Sequence, residues 1–100
     1  MIKHIVVWRL KDFAKGTNKI GNAEKIKELL ESLRRKIVEI QHIEVGINIT
    51  GTDASSDVVL YSEFNRIEDL NAYQKHPEHM KVVQFIMEVC TERRVVDYEI

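Results

Sequence analysis

The chain has 100 residues, of which 44% are hydrophobic and 31% are charged, and its formal net charge is −1. This composition is typical of one soluble globular domain, which we expect to span residues 1–100, and it does not favour binding to nucleic acid. The first apolar run is interrupted by Lys3, His4 and Arg9, so it predicts neither a secretion signal nor a membrane span. We therefore expect a cytoplasmic protein. Cys90 is the only cysteine, which excludes an internal disulfide and a cysteine-based zinc site.

The first third of the chain predicts a strand followed by a helix. Residues 2–11 alternate in a way that places Ile5 and Val7 on one strand face and a larger apolar set, with His4, on the other. We predict a first strand that is buried on both faces. Asn22 is expected to cap a helix. Its apolar positions recur at helical spacing, at Ile26, Leu29, Leu30, Leu33 and Ile37.

The rest of the chain predicts a hairpin, two helical segments and a last strand. IEVGINIT and VVLYSEF alternate as strands and are separated by the turn-forming GTDASSD. Residues 68–74 are helical in composition, and a second helical segment begins at Pro77 and is expected to run to about Glu92. RVVDYEI predicts the last strand.

The resulting order, β-α-β-β-α-β, predicts an α+β fold of the ferredoxin-like kind. In that plan both helices pack on one face of a four-stranded antiparallel sheet. The other face carries Ile5 and Val7, and no helix remains in the sequence to cover it. Because a large exposed apolar patch usually marks an interface, we expect a homodimer in which two such faces meet.

The motif HPEH, residues 76–79, predicts a helix start that presents a histidine inward. Proline is favoured at the first helical position, so Pro77 makes His76 the expected cap and places His79 in the first turn. On a helical wheel His79 lies opposite the charged side of this helix. If the face of the first strand that carries His4 lies beneath the helices, both imidazoles enter the same space. Tyr73 and Tyr61 are candidates to supply hydroxyl groups there.

Two physical effects favour a neutral His79. The positive end of the helix dipole and burial both disfavour the imidazolium form, which suits a general base. A hydrogen-bonded core histidine is the alternative interpretation. A metal held by His76 and His79 is not expected, because a cap residue and an inward first-turn residue point in different directions.

Three stretches together resemble the stress-responsive α/β-barrel (Dabb) family. They are HIVVWRL near the N-terminus, YQKHPEHMKVV in the middle and RRVVDYE near the C-terminus. The resemblance implies a dimeric α+β barrel, in which two ferredoxin-like sheets face each other. Most of the family has no known activity, while plant members include boiling-stable stress proteins and a polyketide cyclase that uses aldol chemistry without a cofactor.

The resemblance to the cyclase also implies roles for individual residues. The catalytic histidine of the HPxH motif corresponds to His79, its supporting first-strand histidine to His4, the tyrosine before the motif to Tyr73, and an aspartate of the last strand to Asp97. A pocket tyrosine expected on the first helix is missing, since aliphatic residues stand around Leu30. This departure argues against a polyketide substrate.

Three functions from different classes stay open at this point. The first is a cofactor-independent acid–base enzyme, in which His79 removes a proton next to a carbonyl and His4 or Tyr73 stabilises the oxyanion. The second is a non-catalytic stress or small-ligand-binding protein. The third is a monooxygenase of the dimeric α+β barrel kind.

A cavity that joins His4, Tyr73 and His79 would favour the enzyme, whereas a filled core there would favour the non-catalytic protein. Neither a cofactor nor a metal is expected. The candidate ligand contacts are Trp8, Leu30, Tyr61 and Val83.

Overall fold

The computed structural model describes residues 1–100 and has three α-helices and six strands. They are β1 (Ile2–Leu10), β2 (Phe13–Ala14), β3 (Thr17–Asn18), α1 (Lys19–Ser32), β4 (His42–Ile47), β5 (Val58–Phe64), α2 (Ile67–Lys75), α3 (Pro77–Val89) and β6 (Cys90–Glu99). The main sheet has the order β4-β5-β1-β6, and all its neighbouring strands are antiparallel. The helices cover one face, which confirms the predicted ferredoxin-like plan. None of the helices has the length and apolar character needed to cross a membrane.

The central strand β1 alternates between the two sides of the sheet. Val6, Trp8 and Leu10 are buried under the helices, while Ile5 and Val7 on the other side are only partly buried. Within one chain, the predicted burial of both faces of β1 is therefore confirmed only for the face that lies under the helices. The opposite side, which we call the open face, is defined by Ile5, Val7, Val59, Tyr61 and Val96.

The start of α1 differs from the prediction. Asn18, and not Asn22, caps this helix, because the Asn18 side chain accepts a hydrogen bond from the Gly21 amide at 2.9 Å. Asn22 lies one turn inside the helix, where it is buried and donates to the Ala14 carbonyl at 2.9 Å. The cause is the small β2–β3 hairpin, which turns through left-handed Lys15 and Gly16 (φ 51° and 82°) and brings the chain to the helix earlier.

Two helices also end earlier than predicted. The α1 helix stops at Ser32 and a 3-10 turn follows at Leu33–Arg35, although Leu33 and Ile37 both remain buried. The α3 helix stops at Val89 and not near Glu92, because residues from Cys90 onward pair with β1. In both places tertiary packing overrides a helical pattern of apolar residues.

The predicted hairpin is present, with β4 and β5 paired through Ile43↔Ser62 and Val45↔Leu60. Its first strand is shorter than predicted, since β4 ends at Ile47 and Ile49 is 96% exposed in the connection to β5. The core lies between the sheet and the helices. Its largest fully buried side chains include Tyr73, Phe64, Ile26 and Leu30.

Candidate functional site

The α3 helix begins at the HPEH motif as predicted. Pro77 is its first residue, and the His76 side chain accepts a hydrogen bond from the Glu78 amide at 3.1 Å. Proline is suited to this position because its missing N–H would have no helical partner there. The cap orients the first turn so that His79 faces the sheet.

His79 is half-buried, and its surroundings select one neutral form. Its Nδ1 lies 3.1 Å from the backbone carbonyl of Gln74. A carbonyl oxygen only accepts, so Nδ1 carries the proton and donates, and Nε2 of the neutral ring keeps its lone pair. Burial lowers the pKa of His79, and the positive charge of Arg93 acts in the same direction, while the Gln74 hydrogen bond opposes them. His79 is thus a neutral proton acceptor near pH 7.

His4 is paired with an acid on the neighbouring strand. Antiparallel pairing of β1 with β6 places His4 opposite Asp97, and His4 Nδ1 lies 2.5 Å from Asp97 Oδ1. His4 is 2% exposed. The Asp97 carboxylate accepts a hydrogen bond from the Nδ1–H group of His4, and this bond fixes the orientation of the imidazole ring.

The Tyr73 ring contacts His79 and lies near His4. Its ring centroid is 4.4 Å from that of His79 and 6.2 Å from that of His4. The side chain is fully buried, and its hydroxyl makes no hydrogen bond within the chain. Burial raises the pKa of Tyr73, so the phenol stays protonated at neutral pH and is a hydrogen-bond donor.

A cavity of about 240 Å³ lies between α3 and the sheet, next to His4 and His79. Most of its walls are apolar, and the partly exposed Met80 and Met87 form its rim. The lining residues are His4, Val6, Trp8, Leu30, Leu60, Gln74, His79, Met80, Val83, Ile86, Met87, Cys90 and Arg93.

The cavity brings together most, but not all, of the residues predicted for the site. Trp8, Leu30 and Val83 line it together with the two histidines. Tyr73 contacts His79 from the core and does not line the cavity.

Tyr61 was wrongly placed, since it pairs with Ile5 on the open face and its hydroxyl donates to Glu63 at 2.6 Å. Its neighbour Leu60 reaches the cavity in its place, because successive side chains of a strand point to opposite faces.

Arg93 is the one charged lining residue that the sequence reasoning missed. It pairs with Trp8 across β1 and β6, and it lies on the same face as Asp97. Counting back by two from Asp97 through Val95 would have placed it on this face.

No three side chains of the types that bind metals converge anywhere in the structure.

Comparisons with known proteins identify both a family and a fold. The sequence profile described as "Stress responsive A/B Barrel Domain" matches residues 2–100. The stress-response A/B barrel domain-containing protein DABB1 of Arabidopsis thaliana is 30% identical over 98% of this chain and 46% of that protein. A second Arabidopsis protein that contains the same domain is 29% identical, and the match covers 98% of this chain and 36% of that protein. The chain thus spans less than half of each of these curated relatives.

Solved structures with the same fold include several dimers. A dimeric ferredoxin-like protein of unknown function from Bacteroides fragilis is 36% identical, with a TM-score of 0.87 over 99% of this chain and 95% of that one. The hydroxynitrile lyase of Passiflora edulis has a TM-score of 0.80 over 97% of this chain and 90% of that one. At 16% identity the similarity to the lyase concerns the fold alone.

Proposed function

Because this chain belongs to the stress-responsive A/B barrel domain family, we propose that it is a homodimeric protein that binds a small, largely apolar molecule. The ligand site is the cavity between α3 and the sheet. The observation that carries this proposal is a cavity of about 240 Å³ with predominantly apolar walls and two histidines at one side. Ligand sites are commonly concave and apolar, with a few polar groups that fix orientation.

The homodimer is supported by the open face. Ile5 pairs with Val96 and Val7 pairs with Val59, so these side chains form a continuous apolar surface across three strands. Val96 is 59% exposed and Val59 is 37% exposed. Burying this surface against a second copy removes it from water, and dimers of the same fold exist among the solved structures.

The binding proposal is tested by filling the cavity. In Val83→Phe the added ring occupies space that the ligand needs, and steric overlap should weaken binding by more than about 10-fold. Ligand-observed NMR would screen wild type against uncharged and anionic aliphatic and aromatic compounds smaller than the cavity. Val38→Phe is the matched control, because Val38 is 86% exposed and does not line the cavity.

We expect wild type and the control to bind the same compounds and Val83→Phe to lose them, with unchanged thermal melting. Compounds that bind all three proteins equally would place the ligand elsewhere. A complete lack of binders would contradict the proposal.

A second candidate function, cofactor-independent acid–base catalysis, is favoured by the state of His79. Its Nδ1 is bonded to the Gln74 carbonyl, and burial holds its pKa below the ordinary value of 6.5. A neutral Nε2 beside an apolar cavity is suited to removing a proton next to a carbonyl of the bound molecule. His4 would stabilise the resulting oxyanion in its doubly protonated form, in which Nδ1 donates to Asp97 and Nε2 donates to the oxyanion. Tyr73 would act by positioning His79, since it does not line the cavity.

A further inference from the structure

We propose that Arg93 binds a carboxylate group of the ligand, so that the cavity takes a small acid with an apolar body. The proposal rests on the ligand-binding function above and specifies the chemical class of the ligand. It places the apolar part of the ligand inside the cavity and its charged end at the rim.

Arg93 lies where a charged group of a ligand would remain near water. The residue is exposed, yet its side chain lines the cavity together with Met80 and Met87 at the rim. On β6 it is separated by four residues from Asp97, which corresponds to about 14 Å at about 3.4 Å per residue. The backbone of Arg93 thus lies towards one end of the site, and that of Asp97 lies towards the other.

Arg93 has no counter-ion within the chain. The carboxylates closest to it in sequence are each engaged by another group, in the pairs Glu88–Lys15, Glu92–Arg9, Glu92–Arg94 and Asp97–His4. The cavity lining contains neither an aspartate nor a glutamate. An anionic ligand would therefore meet one uncompensated cation and no like charge at the cavity wall.

The chemistry of the guanidinium favours a carboxylate. Its planar fork of N–H donors matches the two oxygens of a carboxylate, and it loses less hydration than an ammonium when it forms such a pair. The remaining walls are made of aliphatic and thioether side chains with Trp8, and they offer contact area for a hydrocarbon or ring. A molecule with a carboxylate and an apolar body can pair with Arg93 at the rim and contact the apolar walls inside the cavity.

The test compares acids with uncharged amides of the same shape. The probes are octanoate against octanamide and 3-phenylpropanoate against 3-phenylpropanamide, with affinities measured by titration calorimetry or NMR. Wild type should bind each acid about 10-fold tighter than its amide, because a hydrogen bond to a charged group stabilises more than one between neutral groups. The preference should shrink as salt is added.

Substitutions on β6 test whether Arg93 causes the preference for the acid over the amide. Arg93→Gln should abolish the preference for the acid over the amide, while Arg93→Lys should retain part of it. Arg94→Gln is the matched control, since Arg94 is the next residue on the strand but points to the open face, 3.5 Å from Glu92. It should bind like wild type. Thermal melting and light scattering of each variant would establish that folding and assembly are intact.

The outcomes separate this inference from the function on which it rests. If amides bind as tightly as acids, or if Arg93→Gln keeps the preference, the carboxylate assignment is wrong and the binding function stands. If neither acids nor amides bind wild type, both are overturned.

Discussion

At the scale of single residues, the hydrogen bond made by Nδ1 of His79 determines which ring nitrogen can accept a proton. The Gln74 carbonyl holds the Nδ1 proton at 3.1 Å, and Nε2 is left as the acceptor. The HPEH motif predicts the position of this histidine but not its tautomer, which depends on a carbonyl of the preceding helix. His4 is similar, since the strand pattern predicts its face and only the β1–β6 register brings Asp97 to it.

The acid–base candidate predicts a proton-exchange activity that depends on His79. A small ketone such as octan-2-one, incubated in D₂O, should exchange the hydrogens next to its carbonyl faster with wild-type protein than without it. His79→Gln should lose about 10²- to 10⁴-fold of the enzymatic rate, which is the usual contribution of a positioned acid–base group. Deuterium incorporation is measured by mass spectrometry.

The pH profile of that exchange follows from the lowered pKa of His79. The base acts when neutral, so the rate should be constant above the ordinary value of 6.5 and should fall only at more acid pH, where the imidazole protonates. A profile that already falls above 6.5, or exchange that His79→Gln retains, would contradict a His79 base. His76→Asn provides a control, since His76 caps the helix and does not line the cavity.

Tyr61 and Arg93 show what residue patterns alone leave out. The sequence predicts Tyr61 as a candidate hydroxyl donor at the site, yet the strand period places Leu60 at the cavity. Arg93 was missed because its segment was predicted to lie at the junction of a helix and a strand. In both cases the alternation of side chains along the strand assigns the face, once one residue of the strand is known to lie at the cavity.

At the scale of secondary structure elements, the sequence predicts the long segments and misplaces their ends. The α1 helix starts before the predicted cap Asn22, because the β2–β3 hairpin orients the chain and makes Asn18 the cap. The α3 helix and β6 meet at Cys90, where an apolar pattern of period 3.6 continues but pairing with Leu10 takes over. Local patterns carry no information on which long-range partner is available.

The cap of α3 predicts a measurable contribution from His76. His76→Ala should lower the free energy of unfolding by about 1 kcal/mol, because the Glu78 amide then loses its side-chain acceptor. His76→Asn should restore most of it, since asparagine is among the preferred cap residues. Urea denaturation at pH 7.5 measures both changes. Equal stabilities of the alanine and asparagine variants would show that the cap contributes nothing.

At the scale of the whole molecule, the sequence predicts the two layers better than the site between them. The alternation of β1 and the helical periods of α1 and α3 identify the faces that pack together, and the order of elements leaves one sheet face without a helix. The cavity is different, because its volume depends on how closely α3 approaches the sheet. Half-buried Val83 and exposed Met87 are not distinguished from core residues by hydrophobicity alone.

The proposed homodimer predicts that a charge on the open face will split the assembly without unfolding the chain. Val96 is the informative position, because it lies on β6 opposite Ile5 and is 59% exposed in one chain, so a polar side chain there costs the single chain little. In a symmetric dimer Val96→Glu buries a carboxylate in each copy, and an unpaired buried charge costs about 3 to 5 kcal/mol. The dimer dissociation constant should therefore rise by more than about 10²-fold.

Light scattering at micromolar concentration should report twice the chain mass for wild type and the chain mass for Val96→Glu, while circular dichroism stays unchanged. Val38→Glu adds the same charge at a position that is 86% exposed and off the sheet, and it should remain dimeric. A wild-type monomer, or a Val96→Glu protein that stays dimeric, would show that two open faces do not meet.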